Sequence, residues 1–182
     1  QIRVRFNNPD LVATAELMNR TASVEWNRLY SSTIFNWNQE QSERLNLNRT
    51  PTKMLILCPV SYTSTLQPFV DWKIQQGIAV TVVTVGTTGT IANTTTAIKA
   101  YIQNIWDTAT AQNPAPTYLV IVGDTGSTDG TIIANTGESS TAHVTDLTYV
   151  RLNGTDYLPE MYWGRFSVST TTELTNAINK TL

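Results

Sequence analysis

Three apolar runs of strand length, separated by two segments with helical periodicity, constrain the fold of this chain more than any other feature. The runs predict strands near residues 54–58, 79–85 and 118–122. They show no polar alternation, which is typical of strands covered on both faces. The segments between them, near residues 64–76 and 95–109, place their apolar side chains on one helical face. The order β-α-β-α-β therefore predicts an α/β fold with a mainly parallel sheet and right-handed crossovers.

The chain after the third predicted strand is patterned less regularly. A polar loop is predicted over residues 125–145, followed by a fourth strand in DLTYVRL (146–152) and a short fifth strand in MYWGRF (161–166). Capping candidates and an acidic first turn predict a last helix that begins near Thr172. No Gly or Pro ends this helix, so we expect it to continue past the last residue in a longer protein.

Residues 1–52 follow a different pattern and are interpreted as a lead-in segment. IRVRF (2–6) alternates like a short strand, whereas VEWNRLYSSTIFNW (24–37) fits neither a helical nor a strand period. We expect this segment to lie across another surface of the protein. The regular α/β unit is predicted to begin at Lys53 and to extend over residues 53–182.

Composition excludes several classes of function. The net charge of −2 and the charged fraction of 14 % provide no basic surface for nucleic acid. No apolar run has the length of a membrane span. A single cysteine, Cys58, excludes an internal disulfide and a zinc site built on clustered cysteines. The many Thr and Asn residues, with few Lys and Arg, favour an extracellular location.

Three carboxylates are the main candidates for a site. Asp124 ends the third strand, where ligands of open parallel sheets bind, or it starts a turn by hydrogen bonding to nearby amides. Asp156 and Glu160 bracket a Leu-Pro pair and are either solvated turn residues or part of a site that converges on Asp124. Three carboxylates brought together repel each other unless a cation or protons compensate. Oxygen ligands without His or Cys favour calcium.

Other catalytic arrangements find little support in the sequence. His143 is the only histidine and is expected in a loop or at the surface. Cys58 lies within a buried strand, where a thiol is usually a small hydrophobic residue. No GxSxG elbow or phosphate loop is present. A hydrolase that uses Asp124 and His143 is the least favoured alternative, and Arg165 is expected to pair with a carboxylate.

Five blocks, in order, resemble the gingipain family of secreted bacterial cysteine peptidases. They lie within residues 53–182 and read KMLILCP, FVDWKIQQGIAVTVVTV, YLVIVGD, TDLTYVRLNGTDYLPEMYWGRFS and ELTNAINKT. The resemblance implies a caspase-like, three-layer α-β-α fold, of which this unit is the N-terminal subdomain. It also implies that the catalytic His, in a Gly-His-Gly setting, and the catalytic Cys belong to a C-terminal subdomain, because neither motif occurs here. Residues 1–52 then resemble the end of a propeptide or upstream domain.

The resemblance further implies a structural Ca²⁺ site in this subdomain. Its ligands would be the side chains of Asp124, Asp156 and Glu160, together with the backbone carbonyls of Asn153 and Leu158. The alternating positions from Asn153 to Glu160 would turn several oxygens to one side of a curved segment, and the proline before Glu160 would stiffen it.

The function that the resemblance implies is that of a non-catalytic scaffold within a secreted or cell-surface cysteine endopeptidase. Its expected partners are the C-terminal catalytic subdomain, a propeptide, and the protein or peptide substrates of the intact enzyme. The alternative is a non-catalytic binding or adhesion module of a cell-surface protein with the same fold. A downstream Gly-His-Gly motif and a strand-end cysteine would favour the enzyme.

Overall fold

The computed structural model describes residues 8–21, 23–34, 51–126, 128, 130–137 and 140–182. The strand predicted at residues 2–6 lies outside them. The helices are α1 (Leu11–Arg20), α2 (Val24–Thr33), α3 (Thr63–Gln75), α4 (Thr95–Asp107), α5 (Leu147–Val150) and α6 (Thr171–Thr181). The strands are β1 (Lys53–Pro59), β2 (Ala79–Val85), β3 (Tyr118–Val122), β4 (Asn135–Gly137), β5 (Ser140–Thr145) and β6 (Tyr162–Phe166).

A four-stranded sheet in the order β2-β1-β3-β6 forms the centre of the molecule, and every pair in it is parallel. Leu55 of β1 pairs with Thr81 on one side and with Leu119 on the other. The three strands and two helices that the apolar runs predict are confirmed, as is the fifth strand, which is β6. Among the described strands, β1 and β3 lie inside the sheet and β6 forms one edge.

The alternation of side chains along β1 creates two cores, one on each face of the sheet. Leu55 and Leu57 pack with α4 and α5, whereas Ile56 and Cys58 pack with α3 and α6. All four side chains are fully buried. Because helices cover both faces, the α-β-α three-layer architecture is confirmed, and the run MLILCP is apolar throughout because neither face meets water.

The prediction of a fourth strand at residues 146–152 is wrong. Residues 147–150 form the single helical turn α5, and the sheet position beside β3 belongs to β6. Tyr149 and Val150 are adjacent, and both are buried in the core on the α4 side. The Tyr149 hydroxyl donates to the carbonyl oxygen of Ile133 at 2.6 Å. A strand would point these neighbours to opposite faces, whereas a helical turn buries both in one core.

Two further segments differ from expectation in detail. The region predicted as a polar loop contains the antiparallel pair β4-β5. The last helix begins at Thr171, close to the prediction, and its cap uses Thr170, whose hydroxyl accepts from the Glu173 amide at 3.1 Å. The Glu173 carboxylate in turn accepts from the Ser169 amide at 2.7 Å, so both groups fix the start of α6. In the described part of the chain, no helix combines the length and apolarity of a membrane span.

The lead-in segment contains two helices, and it packs against the edge strand. Residues 24–33 form helix α2 although their sequence shows no clear helical pattern. The helix begins after Ser23, whose hydroxyl accepts a hydrogen bond from the Trp26 amide. Trp26 is nine-tenths buried and stacks on Tyr162 of β6, with ring centroids 4.7 Å apart. The backbone of Arg20 accepts from the Ala115 amide at 3.1 Å. The expectation that this segment lies across another surface is confirmed for its described residues.

The buried position of Ile56 predicts a large effect of shortening its side chain. We expect Ile56→Ala to lower the free energy of unfolding by about 2–5 kcal/mol, because the central strand cannot collapse onto the cavity. The matched control is Ile74→Ala on α3, where the side chain is 53 % exposed and the change should stay within about 0.5 kcal/mol. Urea unfolding measures both, and equal losses would contradict the two-core arrangement.

Candidate functional site

The carboxyl ends of β3 and β6 are joined by the guanidinium of Arg165. Its Nε and Nη2 donate to the two carboxylate oxygens of Asp146 at 2.8 and 2.7 Å. Its Nη1 donates to the carbonyl oxygens of Gly123 at 2.8 Å and Ile132 at 3.0 Å. The side chains of the ion pair are only 10 % and 12 % exposed. The expectation that Arg165 pairs with a carboxylate is therefore confirmed, and the pair is structural because its donors are engaged with the protein.

Asp124 follows β3 and forms a turn with its neighbours. Its carboxylate accepts from the Thr125 amide at 2.8 Å, from the Ser167 hydroxyl at 2.9 Å and from the Ser169 hydroxyl at 3.5 Å. The bond from the Thr125 amide, followed by that from Ser167, lowers the pKa of Asp124. These bonds tie the end of β3 to the chain that leaves β6, which corresponds to the structural alternative considered for this residue.

The loop before β6 is organised by Glu160. One carboxylate oxygen of Glu160 accepts from the Leu152 amide, and its own amide donates to the carbonyl oxygen of Val150 at 2.9 Å. Burial raises the pKa of Glu160, and the charge of Asp156 raises it further, whereas the amides of Leu152 and Asn153 lower it. Glu160 thus closes the loop by binding backbone amides, at the cost of holding a charge in a half-buried position.

Arg151 holds the opposite side of the same loop. Its Nε donates to the carbonyl oxygen of Asp156 at 2.6 Å, and Nη2 donates to that of Thr155 at 3.2 Å. The guanidinium lies over the ring of Tyr157, 4.4 Å from its centroid. The Asp156 carboxylate accepts from the Leu158 amide at 2.9 Å, which forms a tight turn. This role could not be predicted, because nothing in RLNGTDY relates the arginine to carbonyls four and five residues later.

The structure brings four of the five predicted calcium ligands onto one loop, and Asp124 is not among them. Asn153, Asp156, Leu158 and Glu160 all precede β6. β3 and β6 are parallel and pair over their full length, so a residue after β3 and a residue before β6 lie at opposite ends of the sheet. Within the described ranges, no group of three or more His, Cys, Asp or Glu side chains could hold a metal ion. A single site on Asp124, Asp156 and Glu160 therefore does not fit this geometry.

A cavity of about 500 Å³ lies between the lead-in helices and the start of β6. Trp26 stacks between Tyr30 and Tyr162, at centroid distances of 6.1 and 4.7 Å, and this row forms part of its wall. Asp156 and Glu160 are the charged residues of its lining. The described residues of its lining are Leu17, Thr21, Trp26, Leu29, Tyr30, Asn153, Asp156, Leu158, Pro159, Glu160, Met161, Tyr162 and Trp163.

The cysteine and the histidine of the chain are in unrelated environments. Cys58 is fully buried on β1, and burial raises the pKa of its thiol. Its sulfur is 3.9 Å from the hydroxyl of Thr63. His143 is exposed on β5, and among the described residues it shares no hydrogen bond with Cys58 or Asp124. The expectations of a buried Cys58 and an exposed His143 are confirmed.

Comparison with known proteins places this fold in a family. The profile of peptidase family C25 matches residues 47–182. Lys-gingipain of Porphyromonas gingivalis is 34 % identical over 187 aligned residues, which cover 100 % of this chain. The chain belongs to peptidase family C25. The resemblance to gingipains is therefore confirmed.

Relatives in family C25 are much longer than this chain. The chain spans 10 % of Lys-gingipain, and it matches 21 % of gingipain R2 of P. gingivalis at 24 % identity over 93 % of its own length. A solved protease structure is similar with a TM-score of 0.63 and 33 % identity, over 84 % of this chain and 30 % of that one. A solved complex of the pro- and mature domains of P. gingivalis RgpB is similar with a TM-score of 0.60 and 27 % identity, over 71 % of this chain and 28 % of that one. The caspase-like α/β fold is thus shared with C25 peptidases.

The buried guanidinium of Arg165 predicts that lysine cannot replace it. Arg165→Lys keeps the charge but cannot bind two carboxylate oxygens and several carbonyls in the same plane. We expect the free energy of unfolding to fall by about 1–3 kcal/mol, because buried carbonyl oxygens that Arg165 binds are left without a donor. Arg28→Lys on the exposed face of α2 is the control and should change stability by less than about 0.5 kcal/mol. Similar denaturation midpoints for the two variants would contradict a structural role for the Arg165–Asp146 pair.

Proposed function

We propose that this chain is the N-terminal subdomain, with its lead-in, of a secreted cysteine endopeptidase of family C25, and that it supplies no catalytic residue. The observation that carries the proposal is the position of Cys58. It is fully buried in the core between β1, α3 and α6, and burial raises the pKa of its thiol. A catalytic thiol needs the opposite environment, namely access to substrate and a stabilised thiolate beside a base.

The histidine and the carboxylates do not form an alternative catalytic group. Asp124 is bound to Thr125, Ser167 and Ser169, and the His143 side chain is exposed. Peptide hydrolysis through a thiolate acyl-enzyme would thus depend on a Cys and a His outside this chain. The chain spans 10 % of Lys-gingipain, which leaves ample length in such a protein for a catalytic subdomain.

The surfaces of the chain fit the partners of such a scaffold. β6 is a sheet edge with Tyr162 and Trp163 partly exposed, and we assign this side of the sheet to the C-terminal subdomain. α1 and α2 lie against the start of β6, and we propose that they belong to the end of a propeptide or upstream domain, with the domain boundary at residue 53. The solved complex of RgpB pro- and mature domains supports such a partner. Secretion or display at the cell surface is proposed from the gingipain relatives and the low charge.

Peptidase assays test the proposal that the catalytic residues lie outside this chain. The 182-residue chain should not hydrolyse fluorogenic peptides that carry Lys or Arg before the scissile bond. A longer product of the same gene, which contains the C-terminal subdomain, should hydrolyse such peptides in a thiol-dependent reaction. Activity of the short chain that Cys58→Ala abolishes would overturn the proposal. Inactivity of the longer product under reducing conditions would favour a binding module instead.

The thiol itself provides an independent test. We expect native Cys58 to react with an aromatic disulfide reagent at least about 100-fold more slowly than the unfolded chain, because the thiol is inaccessible and its pKa is raised by burial. The comparison of rates in buffer and in denaturant measures this ratio. Rapid labelling of the native chain would show that the β1 core opens readily, in contradiction to its full burial.

We also propose that Ca²⁺ binds to the loop before β6. The supporting observation is that Asp156 and Glu160 line the same cavity, and the charge of Asp156 accordingly contributes to raising the pKa of Glu160. A cation relieves this repulsion, and carboxylate and carbonyl oxygens suit calcium. The carbonyl oxygens that Arg151 binds belong to Thr155 and Asp156, not to the predicted ligands Asn153 and Leu158. The role of the ion would be to stabilise the loop.

Thermal unfolding tests this calcium site. An excess of Ca²⁺ of about 100 times its dissociation constant should add about 2.7 kcal/mol of stability relative to a chelator. Asp156→Ala should abolish the gain, because it removes one of two carboxylates. Asp124→Ala is the control and should preserve the gain, because Asp124 lies at the other end of the sheet. Identical melting curves with calcium and with chelator would exclude the site, and loss of the gain in Asp124→Ala would show that the ion binds elsewhere.

A further inference from the structure

The sequence contains a single Asn-Gly pair, Asn153–Gly154, which lies in the loop before β6. Both residues are exposed. Gly154 has a φ of +67°, and a Cβ at this position would meet no heavy atom within 4 Å beyond its chain neighbours. In the described part of the chain, no hydrogen bond engages the side-chain amide of Asn153 or the backbone N–H of Gly154. An amide carbon and a nitrogen that can attack it are therefore adjacent, accessible to water and unengaged.

The structure protects the other described asparagines in ways that it does not protect Asn153. The side chain of Asn93 donates to the carbonyl oxygens of Gly126 and Thr131 at 3.3 and 3.0 Å and accepts from an amide at 2.9 Å. A proline follows Asn8 and Asn113 and leaves no N–H next to them. The remaining described asparagines lie in helices or strands: Asn19, Asn27, Asn104, Asn135, Asn176 and Asn179.

We propose that Asn153 is a site of spontaneous chemical modification, in which its side-chain amide becomes a carboxylate with water as the co-reactant. The Gly154 nitrogen loses its proton to solvent and bonds to Cγ of Asn153. The Cγ–Nδ2 bond breaks, and Nδ2 leaves as ammonia after taking a proton from solvent. Glycine favours this step because no Cβ obstructs the approach of its nitrogen.

Water then opens the five-membered imide that this attack creates. It adds to one of the two carbonyl carbons and breaks the bond of that carbon to the Gly154 nitrogen, which regains a proton. Opening at Cγ gives aspartate at position 153. Opening at the backbone carbonyl carbon gives isoaspartate, in which the main chain runs through Cβ and Cγ and is longer by one atom. The net reaction consumes one water molecule and releases one ammonia.

Both products disturb the contacts that hold this loop. Asn153 lines the same cavity as Asp156 and Glu160, so a carboxylate at position 153 adds a third like charge. Glu160 binds the Leu152 amide, and Arg151 binds the carbonyl oxygen two residues after Asn153. An extra main-chain atom between these two contacts shifts at least one of them. The reaction therefore loosens the loop, and it does not depend on the proposed Ca²⁺ site.

Isotope labelling of the folded chain tests the proposal. The protein is kept at mildly alkaline pH, with a chelator, in water enriched in oxygen-18, and is then digested with trypsin in ordinary water. The fragment of residues 152–165 contains one Asn and no Gln, so amide loss within it identifies Asn153. We expect Asn153 to gain oxygen-18 at least about tenfold faster than Asn93, which is hydrogen bonded and followed by a β-branched residue. The folded chain should react at Asn153 within about threefold of the rate in guanidinium, because the loop is exposed.

Two variants distinguish attack by the Gly154 nitrogen from direct hydrolysis of the amide. Asn153→Gln keeps an exposed amide but moves its carbon one bond away from the attacking nitrogen, so oxygen-18 uptake in the fragment should be lost. Gly154→Ala places a Cβ beside that nitrogen and should slow uptake about tenfold. Asn179→Gln, in α6, is the matched control and should leave uptake at Asn153 unchanged.

Three outcomes would overturn the proposal. Uptake at Asn153 that is no faster than at Asn93, or that folding suppresses by more than about tenfold, would show that the structure protects this residue. Uptake at the parental rate in Asn153→Gln would show direct hydrolysis. The reacted fraction, separated by ion exchange, should melt at a lower temperature in chelator than the unreacted fraction, and equal melting temperatures would contradict the loosening of the loop.

Discussion

The arrangement of the edge strand depends on the hydrogen bonds and the ion pair that the Arg165 guanidinium makes. It lies on β6 and donates to the carbonyl oxygen of Gly123, directly after β3, and to the carboxylate of Asp146, directly before the α5 turn. Burying this charge is favourable only because each oxygen around it is already positioned. The same contact fixes β6 in its register beside β3. The position of β6 then determines where the chain turns at both of its ends, with Asp124 near one end and Glu160 near the other.

Strand β1 sets the chemical character of the residues around it. Its odd positions face α4, and its even positions face α3 and α6. Cys58 occupies an even position and is enclosed on all sides, so its thiol contributes packing and no reactivity. The reactive potential of a cysteine in this family therefore cannot be inferred from residue type alone. It depends on whether the side chain points into a core or emerges at the end of a strand.

The parallel α/β core was predictable because each of its elements has a strong local signal. Buried strands are apolar without alternation, and the helices that cross over them carry one apolar face. The α5 turn was not predictable from TYV alone, because two adjacent buried residues fit a strand as well as a helical turn. Helices α1 and α2 were missed although Asp10 and Ser23 are good N-caps. They are not core helices, because α1 buries no side chain and α2 buries only Trp26.

The candidate site was predicted in part. Four of its five residues share a loop because they are neighbours in sequence. The fifth, Asp124, was expected beside them, although the predicted parallel sheet already implied otherwise: a residue that follows one strand and a residue that precedes its parallel neighbour lie at opposite ends. Arg151 and the aromatic row from Tyr30 to Tyr162 could not be predicted, because they depend on how the lead-in meets the sheet.

The stacking of Trp26 on Tyr162 has a consequence for the order in which the protein assembles during synthesis. Tyr162 follows Trp26 by 136 positions, so a ribosome that adds about 5–20 residues per second makes the tryptophan roughly 7–27 s before its partner. Throughout that interval Trp26 lacks the Tyr162 ring on which it stacks. The lead-in is made before the sheet and completes its packing only after β6 is made, and its removal would leave the hydrogen-bond ladder of the finished sheet intact. A segment that packs late, and whose described residues contribute no strand to the sheet, can associate temporarily with the domain that it precedes.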